Sequence, residues 1–296
     1  KRVEKLEMKK IILFFFLTIL SLVIFSSCML YQINKNPMHP RHHISDKEDN
    51  KKLVVFAGNS ITHGRVGYDW VRSLSLNDTS KIYLNAGMNG DLAWNVNQRI
   101  DEIIKCDPDL VFLLIGSNDA MGSLSKDAGE FYKKFKNLPL LPALGWYEKN
   151  YDQILQKLLK STSAKIILIT IPWVGEHENS KIISIIREHN KIIKKLSLKY
   201  ELKVLPFFDE MGKLILSKHQ QNNSTEMIPV YTRKKNASLS VFGILKYYQL
   251  GFSWNEIGDK NNLSATFDFI HLNERSGILL EHLVQQSMKT INDLNF

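Results

Sequence analysis

LVVFAGNSITHG, Leu53 to Gly64, is the stretch that decides the fold. Leu53 to Phe56 is a short, continuously apolar run that ends at a glycine turn, the pattern of a buried strand. Gly58 lets the backbone turn sharply, and the weakly apolar stretch Tyr68 to Leu76 reads as the next helix. Ser60 therefore sits on a strand-to-helix turn, where a nucleophile is both exposed and rigidly held. Taken alone the serine has a plainer use, capping the helix that follows.

The pattern alternates outward from this turn. KIYLNAG, ending at Gly87, reads as a second strand, and the stretch opening at Asp91 has helical spacing through Leu92, Val96, Ile100, Ile103 and Ile104, with Asp91 as its cap. Asp109 to Gly116, DLVFLLIG, reads as a central parallel strand buried on both faces. A helix near Asn150 to Ser161, a strand in Ala164 to Trp173, a helix around Lys181 to Tyr200, a fifth strand in LKVLPFFDE and a final helix from about Asn273 to Asp293 complete the order. Such alternation with right-handed crossovers gives a doubly wound, three-layer α/β/α sandwich around a mostly parallel sheet of about five strands. Ligands collect at the carboxyl ends of its strands, where Ser60, Gly90 and Asn118 fall.

Three further stretches carry chemistry: NAGMNGD at Asn85 to Asp91, IGSND at Ile115 to Asp119, and DFIH at Asp268 to His271. Together with the first, and in this order, they resemble the GDSL or SGNH hydrolase family, whose hallmark Ser, Gly, Asn and His fall here on Ser60, Gly90, Asn118 and His271. The resemblance runs from about Lys51 to the C-terminus and implies an SGNH, flavodoxin-like fold. The family usually has Gly-Asp-Ser in its first block, whereas this chain has Gly58-Asn59-Ser60, a change that bears on how the serine is tuned.

The resemblance implies a serine-dependent carboxylic ester hydrolase. Ser60 attacks, His271 takes its proton, Asp268 holds the imidazole, and the backbone N–H groups of Ser60 and Gly90 with the Asn118 amide stabilise the oxyanion. Each residue type also has an ordinary structural use: Asn118 as a turn cap, Gly90 as a helix-entry glycine, His271 as a core histidine. Asp119 competes with Asp268 for the orienting role, and the i to i+3 spacing favours Asp268, which shares one turn with His271. Substrates expected are lipid-type or short-to-medium acyl esters, as in a lysophospholipase or esterase. The alternatives are a carbohydrate O-acetylesterase and a catalytically inactive surface lipoprotein that binds glycan or lipid. No cofactor is expected: no cluster has metal-ligand spacing and there is no phosphate loop.

Met8 reads as the natural start, because MKK followed by the 15-residue apolar run Ile11 to Phe25 has the form of an export signal, short for a span of about 20 residues. Small residues Ser26 and Ser27 before Cys28 resemble the bacterial lipobox, so residues 1–28 are expected to be a signal and Cys28 the lipidated residue, an uncleaved anchor being the alternative. The expected location is extracytoplasmic, on a membrane through the lipid at Cys28. Residues 29–52 are polar and read as a flexible tether, its His39, His42 and His43 as solvated rather than metal-binding. Residues 53–296 form the hydrolase domain.

The 296 residues allow one such domain plus the leader, and the ordinary 44% hydrophobic and 23% charged shares exclude disorder. Part of the net charge of +9 belongs to the leader, and no dense basic block with interleaved aromatics points to nucleic acid. Of the two cysteines, Cys106 reads as a helix-end residue, which leaves no disulfide framework. Oligomeric state is not encoded in any pattern here. Between the fifth strand and DFIH lies an insertion, about residues 211–267, whose SLSVFGILKYYQLGFSW is richer in apolar residues than a solvent loop needs. Core packing and an acyl-binding wall at Val241 to Trp254 are the two readings.

Overall fold

The computed structural model describes residues 2–43, 50–221 and 229–293 and divides the chain into two units, one ending at Asn36 and one beginning at Pro37. The first is a single helix, α1 (Arg2–Asn34), whose apolar side chains, Phe14 and Ile19 among them, are exposed. It runs on past the expected Ile11 to Phe25 segment, carries the exposed Cys28, and is long and apolar enough to cross a membrane by length and composition.

In the second unit, β1 (Lys52–Gly58) leads through a one-turn helix α2 (Ser60–His63) and α3 (Trp70–Asn77) to β2 (Lys81–Gly87). α4 (Ala93–Ile104) precedes β3 (Leu110–Leu114), and α5 (Ser117–Gly122), α6 (Lys126–Phe135) and α7 (Leu144–Ser161) precede β4 (Lys165–Ile169). α8 (Lys181–Tyr200), β5 (Lys203–Leu205), α9 (Phe207–Gln221), α10 (Arg233–Leu250), α11 (Trp254–Asp259) and α12 (Glu274–Asp293) complete the order. The sheet runs β2-β1-β3-β4-β5 and every pairing is parallel. α3, α9 and α12 form one covering layer and α4, α7 and α8 the other.

β1 is an interior strand, paired on both sides, and Leu53 to Gly58 is buried throughout. Phe56 stacks on Phe112 of β3 at 5.2 Å and meets Trp70 edge-on at 4.9 Å, a cluster in which each buried ring contributes roughly 1.5–3 kcal/mol. The Trp70 indole N–H also donates to Ile61 O at 2.9 Å, tying α3 to the turn that holds Ser60. In register, Gly58 lies opposite Gly87 of β2 and Leu114 of β3. The three strands therefore end level, and the loops that follow them open side by side at the point where the strand order reverses.

Four sequence expectations need correction. The fifth strand is only Lys203–Leu205, because Pro206 has no N–H to extend the ladder and Phe207 begins α9. Asp91 does not cap α4: its carboxylate is taken by Arg99 Nε and Lys136 Nζ, both at 2.8 Å, and the N–H of Ala93 is met instead by Asp119. The stretch expected as a tether is packed over Pro37–His43, where Asn85 N–H donates to Met38 O at 2.8 Å and the Cys106 thiol to Pro40 O at 3.5 Å. Within it His39 is buried, not solvated, and burial with the nearby Arg41 pushes its imidazole down to about 3, so it packs as a neutral ring beside Glu102. The insertion is helical where described, formed by the end of α9 with α10 and α11.

Candidate active site

Ser60 is the first residue of α2, and the turn before it is fixed by Asn59, whose side-chain oxygen accepts Ile61 N–H at 3.0 Å. The asparagine that departs from the family pattern thus caps the turn. His271 Nε2 lies 3.0 Å from Ser60 Oγ, and His271 Nδ1 lies 2.8 Å from Asp268 Oδ2. Two residues 211 apart in sequence are so brought to hydrogen-bonding distance. A hydroxyl, an imidazole and a carboxylate in this order can pass a proton from the first to the second while the third holds the ring.

Asp268 is fully buried, Ser60 nearly so, and His271 is partly buried. Its Oδ1 accepts the backbone N–H groups of Ile270 (3.1 Å) and His271 (2.9 Å). Burial pushes this carboxyl up, but the facing His271 and the donated hydrogen bonds outweigh it and hold the group below the usual carboxylate range. The loop is held in an uncommon conformation, since Phe269, between the two residues, has φ +81°.

Gly90 comes from the loop after β2 and Asn118 from the first turn of α5, after β3. Gly90 has φ +76°, and a Cβ there would fall 2.5 Å from the Phe135 ring, so the position requires glycine twice over. The Asn118 amide donates to Asp91 O at 2.8 Å, and its oxygen accepts the Tyr132 hydroxyl at 2.9 Å. That fixes the amide's orientation and leaves it a second N–H. Arg99 closes the circuit by donating to both Asp91 and Gly58 O. Asp119, the competing carboxylate, is buried at the start of α4 and accepts Ala93 N–H at 3.1 Å. Burial, only partly offset by that bond, pushes it up to about 7. No hydrogen bond among the described residues joins it to His271.

Three contributors escape a reading of the sequence. Glu176 is buried, and its carboxylate accepts the N–H groups of Ser264 (2.6 Å), Ala265 (2.8 Å) and Thr266 (3.1 Å) just ahead of Asp268. Asn236 donates to Asp268 O at 2.7 Å, and the Ser240 hydroxyl donates to Asp268 Oδ2. The one available signal is that Asn236 and Ser240 stand four residues apart, a spacing that puts both on one face of a helix. The stretch Val241 to Trp254, read either as core or as an acyl wall, divides between exposed and buried residues. Val241 and Phe242 are more than half exposed, while Trp254 is buried between Tyr247 and Phe267.

The chain matches the GDSL-like Lipase/Acylhydrolase family over residues 56–223, more than half its length, and belongs to that family. It is thus a carboxylic ester hydrolase by family. Among solved structures it is similar to the acetyl xylan esterase AlAXEase, at 18% identity and TM-score 0.53, covering 79% of this chain and 98% of that one. It is also similar to Axe2, an acetylxylan esterase from Geobacillus stearothermophilus, at 14% identity and TM-score 0.53, covering 81% and 95%. A lipase/acylhydrolase from Enterococcus faecalis is similar at 17% identity and TM-score 0.51, covering 81% and 96%. No curated protein matches. At these identities the likenesses establish the fold, an SGNH-type α/β sandwich.

Proposed function

We propose that this enzyme hydrolyses short-chain carboxylic esters, acetylated carbohydrates foremost, through Ser60, His271 and Asp268. Ser60 Oγ attacks the ester carbonyl carbon as His271 Nε2 takes its proton. The negative oxygen is met by the N–H groups of Ser60 and Gly90 and by the second N–H of Asn118. Collapse expels the alcohol, protonated by His271. Water then attacks the acyl-serine with His271 again as base, releasing the acid and restoring Ser60. Asp268 keeps the proton on Nδ1 and stabilises the imidazolium.

The observation that carries the substrate class is the use made of the insertion's apolar residues: Trp254 is spent on packing and Phe242 faces outward, so neither walls a long acyl chain. The acetylxylan esterases among the structural neighbours point the same way, and the lipase/acylhydrolase keeps the lipid reading alive. One feature favours that second reading: Phe131 and Phe135 are stacked at 5.6 Å and exposed, with Phe135 against Gly90, where a lipid surface could meet them. The test is kcat/KM over p-nitrophenyl esters of increasing chain length, together with release of acetate from acetylated xylo-oligosaccharides. Each buried methylene contributes about 0.8 kcal/mol, so an acyl pocket would raise the rate several-fold per carbon. A maximum at acetate and a decline beyond it are expected. A steady rise with chain length would reject this substrate class in favour of lipid esters.

We also infer that residues 1–28 direct export and that Cys28 carries a lipid which keeps the domain at an extracytoplasmic membrane face. The support is the apolar run and the small residues preceding Cys28.

A further inference from the structure

The strongest feature that the reaction scheme leaves unused is the contact between α10 and the loop carrying Asp268 and His271. Asn236, Ser240, Gly243, Ile244 and Tyr247 recur at helical spacing, so they share one face of α10. Asn236 Nδ2 donates to Asp268 O at 2.7 Å and lies 3.4 Å from Ser240 Oγ. Ser240 Oγ–H reaches Asp268 Oδ2, the same oxygen that faces His271 Nδ1. At Gly243 a Cβ would fall 2.5 Å from the Phe267 ring, so this helix-interior glycine lets α10 come close to the residue before Asp268. Tyr247 stacks on Trp254 at 4.1 Å, Trp254 meets Phe267 at a tilt at 4.4 Å, and Phe267 lies near-parallel to the His271 imidazole at 6.0 Å. A column of rings thus runs from α10 and α11 to the back of the catalytic histidine.

We propose that α10 and α11 are a positioning element for the acid–base half of the active site, in which Ser240 is a positioning residue that acts on His271 through Asp268. The proposal rests on the reading of Ser60, His271 and Asp268 as the catalytic set. Asp268 has no water-exposed side, so its two oxygens depend on protein donors: Ile270 N–H and His271 N–H on Oδ1, His271 Nδ1–H and Ser240 Oγ–H on Oδ2. By donating to Oδ2, Ser240 draws part of the carboxylate's charge away from the imidazole and fixes the plane in which the carboxylate meets it. Loss of the hydroxyl frees the carboxylate to turn and leaves its full charge to hold the imidazolium.

The other charged or titratable groups around the pair are few. Tyr231, held up to about 12 chiefly by burial, meets the Phe269 ring edge-on. Lys235 Nζ stands 5.6 Å over the same ring, Glu176 is bound to residues 264–266, and Glu274 caps α11 through Trp254 N–H and Asn255 N–H. Ser240 is hydrogen-bonded to none of them: its partners are Asn236 and Asp268.

The test compares wild type with Ser240→Ala, Ser240→Thr, and Phe242→Ala as a control on the exposed side of the same helix. The protein used is the unit from Pro37 onward, which holds all of the buried core. A hydrogen bond to a buried carboxylate makes kcat for p-nitrophenyl acetate fall about ten- to hundred-fold in Ser240→Ala, with KM within about two-fold. The acid limb of kcat/KM, and the NMR titration of the His271 ring, both move to higher pH by about half a unit or more. Ser240→Thr keeps a hydroxyl and recovers most of the loss, and Phe242→Ala matches wild type. Wild-type kcat and limb in Ser240→Ala would overturn the proposal. So would a loss of activity with the limb and the ring titration unmoved, which marks packing alone. A wild type that hydrolyses no ester while the ring titration still moves in Ser240→Ala supports the positioning role and defeats the esterase reading.

Discussion

Glu176 and Ala265, 89 residues apart in the chain, are joined carboxylate to backbone N–H at 2.8 Å. The same carboxylate takes Ser264 and Thr266, and Gly175 N–H donates to Phe269 O at 2.7 Å, so the loop after β4 clamps the loop that carries Asp268 and His271. Replacing Glu176 with Ala strands three buried N–H groups, each worth about 1–3 kcal/mol when left without an acceptor. Glu176→Ala should lose roughly 3–5 kcal/mol in urea unfolding, and Glu176→Gln, with one acceptor oxygen left, clearly less. A Glu176→Ala protein within about 1 kcal/mol of wild type would show that the clamp contributes little.

Asp268 and Asp119, both buried, are expected to separate by function and by pH. Asp268→Asn should lower kcat by about 10³- to 10⁴-fold, because an amide no longer selects the imidazole tautomer. Asp119→Asn should leave kcat within a few-fold, since Asn still offers an oxygen to Ala93 N–H. The greater loss falling on Asp119→Asn would reassign the orienting carboxylate.

Stability reports the same division. Asp119 is pushed up to about 7 when folded, so the native state holds its proton longer than the unfolded chain and loses stability as pH rises from about 4 to 7. Asp119→Asn removes that dependence and should gain roughly 2–4 kcal/mol over wild type at pH 8, with no such gain at pH 4. Asp268, held below its usual range, has the opposite sign: its contribution is present at neutral pH and is lost as pH falls through the acid range. Chemical denaturation of the variants at pH 4 and pH 8 measures both. An Asp119→Asn difference independent of pH would show that the Asp119 carboxyl is not held protonated by the fold.

Asn118 is aimed by Tyr132, whose hydroxyl holds the amide oxygen. Asn118→Ala should cost about 10² to 10³ in kcat, with KM little changed. Tyr132→Phe should cost about ten-fold, because the amide loses its aim but not its N–H. Equal KM effects and no kcat effect in both variants would place Asn118 in substrate binding instead.

The blocks that meet at the strand ends are readable in the sequence because their information is local. A glycine turn after an apolar run locates Ser60, and i to i+3 spacing links Asp268 to His271. What escapes such a reading depends on placement in three dimensions. Ser240 reaches Asp268 across 28 residues, and Asp119 caps a helix that begins 26 residues before it. Asp91 reads as a cap until Arg99 and Lys136 are brought to it, and two cations outcompete a backbone N–H for a buried carboxylate. His39 reads as solvated because nothing in a polar stretch reveals that the edge of β2 and α4 will cover it. The composition of the insertion marks it as apolar but not which of its residues turn outward, so core packing and an acyl wall both stay open until Phe242 is seen exposed and Trp254 buried.

For the leader, Cys28→Ser should abolish labelling by a fatty acid and leave the signal uncleaved at that site. Metabolic labelling of the variant, followed by fractionation of membranes, checks it. Labelling unchanged from wild type would exclude Cys28 as the lipidated residue.

Whether Ser60 is the nucleophile is decided by kcat/KM for p-nitrophenyl acetate in wild type and Ser60→Ala, with a fluorophosphonate probe applied to both. Wild type should turn over and be labelled on Ser60, while Ser60→Ala should be unlabelled and slower by about 10³-fold or more, at unchanged folded content. A Ser60→Ala protein that keeps wild-type turnover, or a wild type labelled on a different residue, would contradict the assignment.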